Sequence, residues 1–137
     1  MKCLLVQVVI FCSLFSLPSI SAAENSDEAN LAKEIILFEA NSYRVVTEFN
    51  VYAMQKDKVS EQRLFDVLVT GDQLSILFAE QSNSLAPSWN KYRTFVWEKH
   101  SQTDGDIDTY VFNDMRIFHK DLLTIVNRIK KKVNSDL

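Results

Sequence analysis

Apolar residues recur at helical spacing near both ends of the chain. Leu31, Ile35 and Phe38 are separated by four and three residues, which predicts a helix that follows the polar segment 24–30 and ends near Asn41. A second stripe predicts a C-terminal helix whose last turns are rich in lysine, where cations complement the helix dipole. This second stripe consists of Leu122, Ile125, Val126, Ile129 and Val133.

Between these helices the pattern changes to a period of two. Tyr43, Val45, Phe49 and Val51 alternate with polar residues, which predicts a half-buried strand. Further strands are predicted at 59–69, 74–79, 91–98 and 107–112, with turns or loops at 55–58, 71–72, 82–90 and 103–106. Segment 115–119 is either a short sixth strand or the start of the C-terminal helix. The predicted fold class is α+β, with an antiparallel sheet of five or six strands between two helices.

The predicted strands carry apolar residues on both faces, and this leaves two interpretations open. One is a sheet covered by helices on one face. The other is a curved sheet whose concave face lines an apolar cavity for an acyl chain. The adjacent apolar pairs are Leu64/Phe65, Leu68/Val69, Ile76/Leu77, Phe95/Val96 and Val111/Phe112.

The first 23 residues have the layout of a secretory signal peptide. Lys2 precedes an apolar run at 4–17, and Ser21 and Ala23 provide small side chains at −3 and −1 of a cleavage site before Glu24. One alternative interpretation is a membrane-spanning helix, but such a helix needs about 20 apolar residues and this run is shorter. Another alternative is a lipoprotein cleavage site before Cys12, but Phe11 argues against it because small residues are preferred just before the cysteine. We therefore expect a signal peptide at 1–23 and one α+β domain at 24–137.

Cysteine content and charge narrow the classes of function. Cys3 and Cys12 both lie in the expected signal peptide, so the exported domain has no disulfide, which favours a bacterial periplasm. The net charge of −3 argues against a nucleic-acid partner. The basic C-terminal helix allows either a weak contact with an anionic membrane surface or a solvated face.

The motifs that carry chemistry are sparse. Asp104, Asp106 and Asp108 alternate as in a calcium loop, but Thr109 and Met115 stand where such a loop has glycine and glutamate, which favours a solvated hairpin turn. His100 and His119 are too few for a zinc site without cysteine. No serine lies in a G-x-S-x-G elbow. We expect a non-enzymatic protein without a cofactor or a metal.

Two segments resemble the LolA-like family of outer-membrane lipoprotein-sorting proteins. The resemblance covers residues 32–112 and lies in AKEIILFEANSYRVVTEFNVY and KDKVSEQRLFDVLVTGDQLSILFAE, with Tyr43-Arg44 and Gly71-Asp72 at the family's positions. Pro87 and the segments 91–95 and 106–112 are similar to later motifs of the family.

The resemblance implies a periplasmic half-barrel that binds a lipid, an acyl chain or a lipoprotein on its concave face. The alternative function is a periplasmic protein-interaction module, such as an immunity protein, an enzyme inhibitor or a sensor accessory. The residues expected to line the apolar site are Phe49, Phe65, Val67, Ile76, Phe78, Phe95 and Trp97.

Overall fold

Four α-helices make up the described part of the chain. The computed structural model describes residues 20–101 and 109–135, with side chains described from residue 29 and from residue 110. The helices are α1 (Ile20–Gln55), α2 (Lys58–Ile76), α3 (Leu85–Ser101) and α4 (Thr109–Ser135). The expected signal peptide falls mostly outside these residues, and its boundary at Ala23 falls within α1.

The helices form an antiparallel up-down-up-down bundle. α1 packs against α2 and α4, and α3 packs against the same two helices. The antiparallel pairing of α1 and α4 follows from their contacts: Ser42 meets His119, whereas Phe49, later in α1, meets Phe112, earlier in α4. This is the arrangement expected of helices joined by short connections.

The core follows the alternating three-and-four spacing of coiled-coil packing. Such spacing keeps one seam of each helix turned toward its neighbours at the crossing angle usual in helical bundles. On α4 every member of this seam is buried, and the stripe predicted for the C-terminal helix belongs to it. The buried seam residues of α4 are Met115, His119, Leu122, Val126, Ile129 and Val133. Those of α3 are Leu85, Trp89, Tyr92 and Val96, and those of α1 are Ile35, Phe38, Ser42, Val45 and Phe49.

The predicted α+β fold is wrong, because no residue in 20–101 or 109–135 lies in a strand. The predicted strands at 43–51, 59–69 and 91–98 all lie within helices. Exposure decides between the two periods: Tyr43 is 51% exposed, whereas Val45 is fully buried. An alternating strand would place both on one face, and a helix does not. Packing therefore overrides the strand preference of valine and the aromatic residues.

The remaining strand predictions fail in the same way. Leu74–Ile76 completes α2, and the rest of the strand predicted at 74–79 is turn rather than strand. The fifth strand, at 107–112, falls partly outside the described residues, and its residues from Thr109 are helical. Segment 115–119 belongs to α4, which settles that alternative in favour of the helix.

The connection between α1 and α2 is where the sequence predicts a turn. α1 ends at Gln55, Lys56 adopts a positive φ of 49°, and Asp57 caps α2 by accepting a hydrogen bond of 2.7 Å from the Ser60 amide. Hydrogen bonds from Ser60 hold the pKa of the Asp57 carboxyl below its usual value, first from the backbone amide. The ionised carboxylate thus stabilises the helix start.

The turn predicted at Gly71-Asp72 is wrong. Gly71 is buried in the middle of α2, where the indole of Trp89 lies against its backbone so closely that a Cβ would overlap the ring. The glycine therefore serves helix packing rather than a turn. Pro87, predicted in a loop, lies in the first turn of α3, where a proline costs no helical hydrogen bond.

Candidate binding groove between α2 and α3

An open groove lies on the outer side of the α2–α3 interface. Its volume is about 330 Å³, and Lys58, Glu61, Gln62, Phe65 and Trp97 line it. We call it the aromatic groove. Two of its members, Phe65 and Trp97, belong to the lining predicted from the sequence. Its volume is at the lower end of the range of about 300–1,000 Å³ that is usual for small-molecule sites.

The floor of the aromatic groove is an aromatic pair. The rings of Phe65 and Trp97 meet edge to face with centroids 5.8 Å apart. Their side chains nevertheless stay accessible, since Phe65 is 40% and Trp97 36% exposed. Solvent-exposed aromatic faces held rigidly by their own helices are typical of surfaces that bind another molecule.

One end of the aromatic groove is fixed by a buried histidine. His100 Nε2 lies 3.0 Å from Glu61 Oε1, which joins the end of α3 to the first turn of α2. The imidazole stacks on Trp97 with centroids 4.5 Å apart and also contacts the ring of Tyr52 from α1. His100 therefore orients both Glu61 and Trp97, two of the groove residues.

The other end of the α2–α3 interface is fixed by a carboxylate. Asp72 accepts a 2.8 Å hydrogen bond from Trp89 Nε1–H and forms a 2.9 Å ion pair with Arg93 Nε. The same indole packs on Gly71, so Trp89 is held at both its ring and its nitrogen. The aromatic pair is thus bracketed by two polar links that fix the spacing of the helices.

The Lys58 ammonium group forms no ion pair within the groove. No carboxylate in the described part of the chain lies within ion-pair distance of its ammonium group, whereas Glu61 faces His100. The Gln62 amide donates to Asp66 at 2.8 Å, and both side chains are exposed. The groove therefore presents an apolar floor beside the Lys58 ammonium, which forms no ion pair with a described residue, and the Glu61 carboxylate, which contacts His100.

A second polar cluster lies inside the bundle. The Ser42 hydroxyl donates to the Glu39 carbonyl oxygen at 2.7 Å, and His119 Nε2 lies 3.0 Å from the same hydroxyl oxygen. Because the serine proton is already donated, we assign His119 as the Nε2–H tautomer that donates to Ser42. Tyr92 stacks on the imidazole with centroids 5.7 Å apart.

Burial dominates the electrostatics of this cluster. It lowers the pKa of His119 and raises the pKa of the Tyr92 phenol, so that both stay neutral at pH 7. Ser42 is fully buried, and its hydroxyl is committed to Glu39 and His119. The arrangement is a polar layer of the core and offers no path for a substrate.

The other residues predicted to line an apolar site are dispersed. Phe49, Val67 and Phe78 are buried in the core, and Ile76 is exposed at the end of α2. Phe95 is half-buried and packs on Phe118 of α4. Of the seven, Phe65 and Trp97 are the two that line the aromatic groove. The sequence pattern does not indicate Lys58, Glu61 and Gln62 as site residues, because it predicts a turn at 55–58 and a strand at 59–69. Helical spacing along 58, 61, 62 and 65 is the signal that places them on one face.

Metal and membrane features of the described residues are limited. Within residues 20–101 and 109–135 no three histidine, cysteine or acidic side chains come together as a metal site would require. The calcium turn considered for Asp104, Asp106 and Asp108 lies outside those residues. None of the four helices combines the length and apolar character needed to cross a bilayer.

One cation of the basic C-terminal helix has a partner within the bundle, because Lys130 of α4 forms an ion pair of 2.9 Å with Glu39 of α1.

Comparisons with known proteins add no relative. No family model, no curated protein and no solved structure matches the chain. The resemblance to LolA-like proteins therefore stays a prediction, while the half-barrel that it implies is wrong for the described residues.

Proposed function

We propose that this chain is an exported, non-enzymatic protein-interaction module that binds an apolar side chain of a partner protein in the aromatic groove. The observation that carries this proposal is the exposed Phe65–Trp97 pair in a molecule whose other large aromatic residues mostly fill the core. Export is inferred from Lys2, the apolar run at 4–17 and the small residues before Glu24.

The shape of the groove favours a side chain over an acyl chain. An acyl chain gains most of its binding free energy where water is excluded along its whole length. The aromatic groove is open to solvent, and three of its five lining residues are polar. The lipid-carrier expectation also depended on a hollow sheet, and the described residues form a helical bundle instead.

The Lys58 ammonium group defines the chemistry of the partner more closely. Lys58 lies at the same groove as the aromatic floor, so a partner segment that carries a carboxylate next to an apolar residue satisfies both features. Because the pair would be solvent-exposed, the carboxylate contributes modestly, about two- to fivefold in affinity.

The test uses N-acetyl-L-leucine, which combines an apolar side chain with a carboxylate. Amide chemical shifts of the ¹⁵N-labelled protein are followed during titration. We expect saturable changes centred on residues 58–65 and 97, with affinity on the order of millimolar for so small a ligand. N-acetyl-L-leucinamide, which lacks the charge, should bind more weakly, and Lys58→Gln should remove the difference.

The controls distinguish binding at the aromatic groove from nonspecific binding. Trp97→Ala should abolish saturation, whereas Ile117→Ala, which alters an exposed apolar residue on α4, should not. Uniform or non-saturable shifts would overturn the proposal. Decanoate provides the lipid outcome: binding more than tenfold tighter than that of N-acetyl-L-leucine, with shifts reaching core residues, would favour a lipid carrier instead.

A further inference from the structure

Two oppositely charged residues line the aromatic groove without pairing with each other. Lys58 and Glu61 stand three positions apart in α2, where the side chains of a helix are neighbours and opposite charges commonly attract. In this helix they form no ion pair. Glu61 Oε1 lies instead 3.0 Å from His100 Nε2, at the end of α3.

We propose that His100 is a specificity-determining residue of the aromatic groove: by anchoring Glu61, it leaves the Lys58 ammonium group available to a carboxylate of the partner. This inference rests on the proposed function, because it concerns the charge preference of the same groove. His100 is not among the lining residues and acts through Glu61, so its role is that of a positioning residue.

The imidazole is held in place by its aromatic neighbours. His100 is 5% exposed, its ring stacks on Trp97 at an interplanar angle of 27°, and it also contacts the Tyr52 ring of α1. Since a carboxylate only accepts hydrogen bonds, we assign His100 as the tautomer whose Nε2–H donates to Glu61. Because the two rings fix the imidazole, Glu61 adopts the position that His100 sets.

His100 and Lys58 compete for the Glu61 carboxylate. The Glu61 side chain is 46% exposed, so packing does not confine it and it can reach Lys58 once it is released. A hydrogen bond from a buried donor to a carboxylate is stronger than an exposed ion pair within a helix, which solvent weakens. The contact with His100 therefore prevails, and removal of the imidazole N–H should transfer Glu61 to Lys58.

The position of Glu61 sets the preference of the groove for charge. With Glu61 on His100, a ligand carboxylate can pair with Lys58 while its apolar side chain covers the Phe65–Trp97 floor. With Glu61 on Lys58, the same ligand carboxylate would meet a neutralised ammonium group and a negative neighbour. A neutral ligand uses the apolar floor alone and is insensitive to this exchange.

Two His100 variants and two ligands test the inference by amide chemical-shift titration at about pH 7.5, where lysine and glutamate side chains are charged. The wild type should bind N-acetyl-L-leucine about two- to fivefold more tightly than N-acetyl-L-leucinamide. His100→Phe keeps an aromatic ring beside Trp97 but removes the hydrogen bond to Glu61, so this ratio should fall to about one. His100→Gln provides an N–H donor again and should retain the preference.

The neutral ligand separates specificity from a structural effect. Its affinity for His100→Phe should stay within about twofold of its affinity for the wild type, because the aromatic floor is kept. Adding Glu61→Gln to His100→Phe removes the competing carboxylate and should restore the preference for N-acetyl-L-leucine. His119→Gln, a matched change of the other histidine, which contacts Ser42 in the core, should leave the preference unchanged.

Failure of this inference differs from failure of the proposed function. If neither ligand saturates in the wild type, the proposed function fails and this inference fails with it. If the ligands bind but the wild type does not distinguish them, or His100→Phe keeps the full preference, this inference alone is overturned. An equal loss of affinity for both ligands in His100→Phe would also overturn it, since His100 would then act only on the shape of the floor.

A crystal structure of the His100→Phe variant tests the exchange without a ligand. The Glu61 carboxylate should lie within about 4 Å of Lys58 Nζ, which is the distance of an ion pair. A Glu61 side chain that stays apart from Lys58 in this variant would overturn the inference.

Discussion

At the scale of single residues, Ser42 and His119 hold each other in the core by a hydrogen bond, whereas the buried Tyr92 hydroxyl has no hydrogen-bond partner among the described residues. Ser42 and His119 occupy seam positions at which bundles usually carry leucine or isoleucine. Their mutual hydrogen bond, and that of Ser42 to Glu39, offset the cost of removing both groups from water. Protonation of His119 would place a charge in this buried position, which would lower the free energy of unfolding.

Stability should therefore depend on pH through His119. Burial lowers its pKa in the folded chain below the ordinary value of 6.5. The unfolded chain then binds a proton at higher pH than the folded chain does, so the free energy of unfolding should fall as the pH drops below about 6.5. Urea unfolding at about pH 7.5 and about pH 5.5 measures this change.

His119→Gln provides the comparison for that measurement. Glutamine keeps a hydrogen-bond donor near Ser42 and does not titrate in this range. The variant should lose less stability between the two pH values than the wild type does. An equal loss in both proteins would assign the pH dependence to other groups.

At the scale of elements, the first part of α1 up to Asn41 and the part of α4 around 122–133 were predictable from the sequence, whereas the rest of α1 and both central helices were not. In 122–133 Leu122, Val126, Ile129 and Val133 recur at intervals of four, three and four residues, so the helical period is visible. In α2 and α3 apolar residues stand in adjacent pairs, a pattern that also predicts a sheet with two apolar faces. Adjacent residues of a helix point about 100° apart. Leu64 can therefore face the core while Phe65 faces the aromatic groove.

The candidate site was predictable to a similar extent. The sequence predicts that Phe65 and Trp97 line an apolar site, but only the antiparallel pairing of α2 and α3 brings the two rings together. Glu61 and His100, separated by 39 positions, carry no local signal of their contact. Contacts of this kind depend on which helices become neighbours, and periodicity along one segment does not contain that information.

The close approach of α2 and α3 makes its own prediction. Gly71→Ala would normally stabilise a helix by up to about 1 kcal/mol. Here the added Cβ overlaps the Trp89 ring, so we expect a net loss of about 1–3 kcal/mol in the free energy of unfolding, measured by urea denaturation. In a Trp89→Phe background, which removes the overlapping part of the indole, the same alanine should cost less. An unchanged cost would show that the ring is not the obstacle.

At the scale of the whole molecule, all four helices contribute to one hydrophobic cluster. Phe38 of α1 contacts both Phe78, which follows α2, and Trp89 of α3, and Phe95 of α3 contacts Phe118 of α4. No helix has a core of its own. The bundle should consequently unfold as one cooperative unit.

Two probes with different locations test this cooperativity. Trp89 is buried in the core and Trp97 lies at the surface, so Trp97→Phe leaves a fluorescence signal from the core alone. We expect the fluorescence of this variant and the helical circular dichroism to follow the same thermal transition. A separate, earlier loss of either signal would mean that part of the bundle melts independently.

The buried pair of Ser42 and His119 also bears on how the chain avoids misassembly. If α4 slid by one heptad along α1, His119 would face Phe49 or Ile35, and Ser42 would face Phe112 or Val126. The apolar residues would find new apolar neighbours at little cost, but the imidazole would be desolvated without a hydrogen bond. A single polar layer thus penalises slipped registers that apolar side chains alone would tolerate. It widens the energy gap between the native packing and these alternatives.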